Sequence, residues 1–137
     1  METEKDREKL IQEAQDFELS HEKDLKDCRY WILENAAEKW RQAGDTERAR
    51  SYLIKAAENV TGYRDEIDYR KGLLYERAGE LTKAVESFEA AINNWDTEIE
   101  GRDLHGDYRD PESGKRVARS VRKEVEELKK IIAEGGN

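Results

Sequence analysis

Apolar residues return along this chain at helical spacing, with no sustained alternation of the kind a strand requires. Leu10, Ile11, Ala14 and Phe17 mark one face of a first helix over about residues 4 to 18. Ser20 then reads as an N-cap, and from His21 to Ala43 a wider stripe of Leu25, Cys28, Ile32, Leu33, Ala36, Ala37 and Trp40 predicts a helix that packs on two sides. Gly44 ends it. Asp45 caps a third helix, whose core face of Ala49, Leu53, Ala56, Ala57 and Val60 stops at Gly62. A fourth helix runs from about Arg64 through Ile67, Leu74 and Tyr75 to Ala78. Gly79 turns the chain into a fifth with Leu81, Ala84, Val85, Phe88, Ala91 and Ile92. Turns this short make consecutive helices antiparallel neighbours.

The period lapses after Trp95. Residues 96 to 109 are rich in glycine and aspartate and predict a loop, with one helical turn near 99–104. Asp110-Pro111-Glu112 is a helix start, with Asp as cap, Pro at the first helical position and Glu in the first turn. The last helix continues to Glu134, before Gly135-Gly136, on a narrow seam of Val117, Val121, Val125, Leu128 and Ile132. Such a seam suits a terminal helix that caps a stack, or a coiled-coil contact with another chain.

The helices repeat. Ala37-x-x-Trp40-x-x-Ala43-Gly44-Asp45-x-x-x-Ala49-x-x-x-Leu53-x-x-Ala56 returns 35 residues later as Gly72-x-x-Tyr75-x-x-Ala78-Gly79-Glu80-x-x-x-Ala84-x-x-x-Phe88-x-x-Ala91. Small residues recur where two helices approach closely, and aromatics recur where a hole must be filled. These marks resemble the tetratricopeptide repeat over about residues 30 to 95, and the soluble attachment proteins of membrane fusion share much of the pattern. The units depart from that family in being 35 rather than 34 residues long, in having no proline after either second helix, and in carrying Asp68 and Lys71 at positions that are apolar elsewhere. The fold expected is all-α: a tetratricopeptide-like right-handed superhelix of about six antiparallel helices with a C-terminal capping helix. It forms a single domain over 1–137, divided into an N-terminal helix with the start of the first repeat at 1–29, two units at 30–95, the loop and the last helix.

The resemblance implies a groove lined by the first helix of each unit, in which a peptide or protein segment lies. On this chain the groove positions are Trp31, Glu34, Glu38 and Arg41 from the first unit and Glu66, Tyr69, Leu73 and Glu76 from the second. Trp31 and Tyr69 are its anchors. Family members that clamp a peptide's terminal carboxylate do so with a lysine and an asparagine; Glu34 and Glu38 stand at those places here, so the expected partner segment is basic or neutral.

Charge narrows the partners further. The net charge of −8 disfavours nucleic acid and anionic membranes as partners of the whole surface. Against this background Lys115, Arg116, Arg119, Arg122 and Lys123 cluster on the last helix, followed by Glu124, Glu126 and Glu127. The run is expected to be a solvated face or to pair with acids. Its alternative readings are contact with an anionic partner, as in a nucleic-acid-linked regulator, and self-assembly with the Glu-rich groove of a second copy. A single cysteine and the absence of an apolar stretch after Met1 point to a cytoplasmic location.

Catalytic patterns are sparse. Glu18-x-x-His21 matches half of a di-iron site, but His105, the other histidine, lacks the second half. His105 with Asp103 and Asp107 reads as a solvated acidic loop, and Cys28 as a structural thiol with no histidine beside it to activate it. No glycine-rich phosphate loop is present. The expectation is a non-enzymatic interaction module, an adaptor or scaffold, with no cofactor and no metal.

Overall fold

The computed structural model describes residues 3–62, 64–98 and 111–135, with side chains for 3–62, 66–94 and 118–135. Seven α-helices and no strand occur among them: α1 (Glu4–Ser20), α2 (Glu22–Lys26), α3 (Tyr30–Gln42), α4 (Thr46–Glu58), α5 (Arg64–Arg77), α6 (Leu81–Glu98) and α7 (Pro111–Ala133). They fall into two compact units, Met1–Val60 and Thr61–Asn137.

In the first unit, α3 packs against both α1 and α4. Ala14, Trp40, Ala43 and Ala49 form a buried cluster, flanked by Leu10, Ile11 and Tyr52. Three alanines around one indole let the helices approach closely while the ring fills the remaining space, which is the division of labour between small and aromatic positions that the repeat encodes. The Arg48 guanidinium lies over the Trp40 ring, 4.4 Å from its centroid. The Tyr52 hydroxyl donates to the Glu18 carboxylate, tying α4 to α1.

In the second unit, α6 packs against both α5 and α7. Its inward residues Ala84, Val85, Phe88 and Ala91 are buried, as are Leu74, Tyr75 and Ala78 of α5 and Ala118, Val121, Val125 and Leu128 of α7. The seam read along the last helix is thus its packing face at Val121, Val125 and Leu128. Polar links at the edges add register: Asn94 Nδ2 donates to Asp68 at 3.1 Å, and Lys129 pairs with Glu89 at 3.4 Å.

Two turns follow from glycine chemistry. At Gly44 (φ 83°) the Asp45 N–H donates to the Trp40 carbonyl and the Gly44 N–H to that of Arg41; at Gly79 (φ 80°) Glu80 and Gly79 bond in the same way to Tyr75 and Glu76. Both are Schellman closures, whose left-handed residue favours glycine. Asp45 then accepts from the Arg48 N–H at 3.0 Å and starts α4.

The predicted helix from His21 to Ala43 is instead two helices, so the described residues form seven helices rather than about six. A third Schellman closure interrupts it, with Cys28 N–H to Leu25 O, Arg29 N–H to Asp24 O, and Cys28 itself in the left-handed region at φ 56°. The Arg29–Asp24 ion pair at 3.0 Å braces this turn. Ser20 is not an N-cap: it is the last residue of α1, and α2 has no side-chain cap. The cap that the sequence reading passed over is Thr3, which forms a reciprocal capping box with Asp6. Residues 96–98, expected in the loop, continue α6, since helical hydrogen bonding outlasts the apolar period. The turn expected at 99–104 and the Asp110 cap lie outside the described residues; α7 does begin at Pro111.

Candidate functional site

Tyr69, Leu73 and Glu76 recur along one face of α5 at helical spacing. Ser120, Val121 and Glu124 do the same on α7, and Phe88 of α6 completes the lining of a cleft of about 320 Å³. Gly72 sets how close α5 comes to α6. A Cβ there would stand 2.5 Å from the Phe88 ring, so the missing side chain is what allows the contact. The Tyr69 ring tilts against Phe88 at 6.0 Å between centroids, and Leu73 leaves 40% of its surface exposed at the rim.

The polar end of the cleft is unusual. Glu76 on α5 and Glu124 on α7 both line this end of the cleft. Burial pushes Glu76 up to about 7, and a hydrogen bond with Glu124 and the negative charge of Glu124 act in the same direction. Two carboxyl groups can bond in this way only with a proton between them. The site therefore joins apolar walls to an acid pair that holds a proton near neutrality.

Three of the four groove positions expected from the second unit, Tyr69, Leu73 and Glu76, line this cleft. Glu66 does not: it is exposed and pairs along its own helix with Arg70 at 3.7 Å. The sequence reading missed Ser120, Val121 and Glu124 as site residues. In the first unit, Trp31 is 46% exposed, edge-on to Tyr30 at 5.3 Å, with the Arg29 guanidinium 5.8 Å from its ring. Arg41 donates to Glu38 at 2.9 Å, a pairing that raises the guanidinium's pKa, and Glu34 is half-buried. The expected anchors thus differ: Tyr69 packs into a cleft, whereas Trp31 stands out from its helix.

On α7, Arg119, Arg122 and Lys123 are exposed, while the side chains of Lys115 and Arg116 lie outside the described residues. Arg122 lines a second hollow, of about 300 Å³, with Glu89, Ile92, Asn93, Val125, Glu126 and Lys129, so acids and cations interleave there. A hollow of about 440 Å³ in the first unit, beside Trp40, is lined by Arg7 and Arg48 and also by Asp45 and Glu47, which balances its charge.

The other candidates have structural occupations. Glu18 accepts from Tyr52, and His21 stacks on Phe17 at 4.2 Å with Nδ1 3.0 Å from the Phe17 carbonyl. Cys28 is half-buried at its turn, its Sγ 3.8 Å from the Lys26 carbonyl. Asp103, His105 and Asp107 lie outside the described residues. Among the described residues no three His, Cys, Asp or Glu side chains gather as a metal site would require, and no helix is long and apolar enough to cross a membrane. Comparison of the chain with protein-family models, curated proteins and solved structures gives no match.

Proposed function

We propose that this chain is a non-enzymatic protein-interaction module, a tetratricopeptide-like scaffold of the cytoplasm that holds a basic or neutral segment of another protein. The observation that carries the reading is the cleft of the second unit, where Tyr69, Leu73, Phe88 and Val121 offer apolar surface beside an acidic end. A half-exposed leucine next to a partly buried tyrosine is the kind of surface on which partners anchor, because both present a large area for little lost side-chain freedom. The two-unit register from Ala37 to Ala91 supports the repeat scaffold, and Trp31, Glu34, Glu38 and Arg41 of the first unit are candidate contacts in their own right.

The test is selection from a displayed library of random peptides, with the native chain and a Tyr69→Ala, Leu73→Ala variant of unchanged circular dichroism. A peptide family retained by the native chain and lost by the variant supports the module. Identical retention by both, or none by either, sinks it. Duplex binding through Arg119, Arg122 and Lys123 is the competing reading, and it predicts an affinity that falls steeply with salt.

A further inference from the structure

The acid pair is the one feature of the cleft that shape alone does not explain. Two carboxyl groups on different helices, in partly dry surroundings, repel unless a proton or a cation sits between them. The raised pKa of Glu76 supports a shared proton in this role. No lysine or arginine among the described residues lines the cleft: α5 contributes Tyr69, Leu73 and Glu76, α6 only Phe88, and α7 Ser120, Val121 and Glu124. The described cations of these helices lie outside the lining. Lys83 of α6 lies 5.6 Å over the Tyr75 ring, Arg122 faces the hollow beside Glu89 and Glu126, and Arg77 and Lys123 are exposed outside the lining. Among the described residues that line the cleft, the other titratable group is the Tyr69 phenol.

We infer that the Glu76–Glu124 end of the cleft, with its apolar walls of Tyr69, Leu73, Phe88 and Val121, is a receptor for one arginine side chain of a partner protein. The inference rests on the interaction-module reading and names the chemistry that module recognises. The apolar walls suit a methylene stem and the acids suit its charged head, the arrangement in which long basic side chains bury their stems. Arginine fits better than lysine because its planar fork donates to two carboxylates at once. The step balances simply: a neutral carboxyl and a carboxylate become two carboxylates around one guanidinium, and one proton passes to solvent. The glutamates at the polar end of the cleft thereby set both the charge of the partner side chain and the pH at which it is accepted.

The probe is n-propylguanidinium, with n-propylurea as its uncharged counterpart, titrated into the full chain while the side-chain carboxyl ¹³C shifts of Glu76 and Glu124 are followed. The guanidinium is expected to move both signals, to bind about tenfold more tightly at pH 8 than at pH 6, and to release close to one proton at pH 6 in calorimetry across buffers of different ionisation enthalpy. The urea should leave both signals in place. Glu124→Gln, which keeps the shape, should weaken binding and reduce its pH dependence, the part due to burial of Glu76 remaining. Equal affinity at both pH values, or shifts confined to other acids, overturns the receptor. The peptide selection separates the two proposals. Peptides lost with Tyr69 and Leu73 but carrying no arginine sensitive to Glu124→Gln overturn the receptor and leave the module standing. A native dimer that Glu124→Gln dissociates in sedimentation would assign the cleft to a second copy, and overturns the assignment to a different partner.

Discussion

The Phe88 ring occupies the space where a side chain on Gly72 would begin: a Cβ built there meets ring carbons at 2.5 Å. The positions 35 residues earlier hold Ala37 and Leu53, both buried. At these corresponding positions the first unit carries a methyl and a branched aliphatic side chain, and the second a bare backbone and a ring.

Gly72→Ala should destabilise the protein by about 1–3 kcal/mol, since overpacking outweighs the ~1 kcal/mol that alanine contributes to a helix interior. Phe88→Leu alone should cost about 1 kcal/mol or more by leaving a void. The double variant reproduces the Ala37–Leu53 combination and should be more stable than the sum of the two predicts, by about 1 kcal/mol. Urea denaturation of the four proteins closes the cycle; strict additivity would show that the two side chains do not share the space.

Cys28 holds a left-handed conformation that the other two Schellman closures give to glycine. Cys28→Gly should raise stability by up to about 1 kcal/mol, whereas Gly44→Ala and Gly79→Ala should each lower it by about 1 kcal/mol. Thermal melts distinguish the signs. A Cys28→Gly protein that melts earlier would mean that the cysteine side chain contributes more than its backbone costs.

The acid pair gives stability a pH dependence of known sign. Glu76 titrates near 7 when folded and near 4.5 in a model peptide, so between those values the folded chain holds a proton that the unfolded chain has released. This contribution is complete below about 4.5, declines as pH rises, and is lost above about 7. Glu76→Gln, whose amide can still donate to Glu124, should remove the decline: its melting temperature should match the native one near pH 5 and exceed it at pH 8. Melts at the two pH values decide.

Tyr52 ties α4 to α1 through Glu18. Burial pushes its phenol pKa up, the hydrogen bond and the charge of Glu18 add to this, and Arg48 opposes it. Tyr52→Phe should cost about 1 kcal/mol, the net worth of such a hydrogen bond. In an alkaline absorbance titration one tyrosine of the native chain should ionise only on unfolding, and that delayed step should be missing from the variant.

Much of this architecture could be read from residue spacing because its punctuation is glycine. Gly44 and Gly79 mark their turns in the sequence as clearly as in space. The break at Cys28 was hidden for the opposite reason: a cysteine carries no turn signal, and the apolar stripe of Leu25, Cys28 and Ile32 runs straight across it. The cleft was half legible. Tyr69, Leu73 and Glu76 share a face of one helix, which spacing reveals, whereas their meeting with Glu124 depends on how α7 lies on α6. Nothing local encodes that approach, and Glu124 sits in the sequence as one acid after a basic run.

The trade of bulk between Gly72–Phe88 and Ala37–Leu53 also bears on which helices recognise each other during folding. Hairpins from near-copies invite exchange, either within a chain or between chains that swap an element. If the first helix of one unit docked on the second helix of the other, Ala37 would be driven into Phe88, and Gly72 would face Leu53 across a gap. One wrong pairing is too full and the other too empty, so a difference of a few carbon atoms gives each hairpin a lock that its twin does not open.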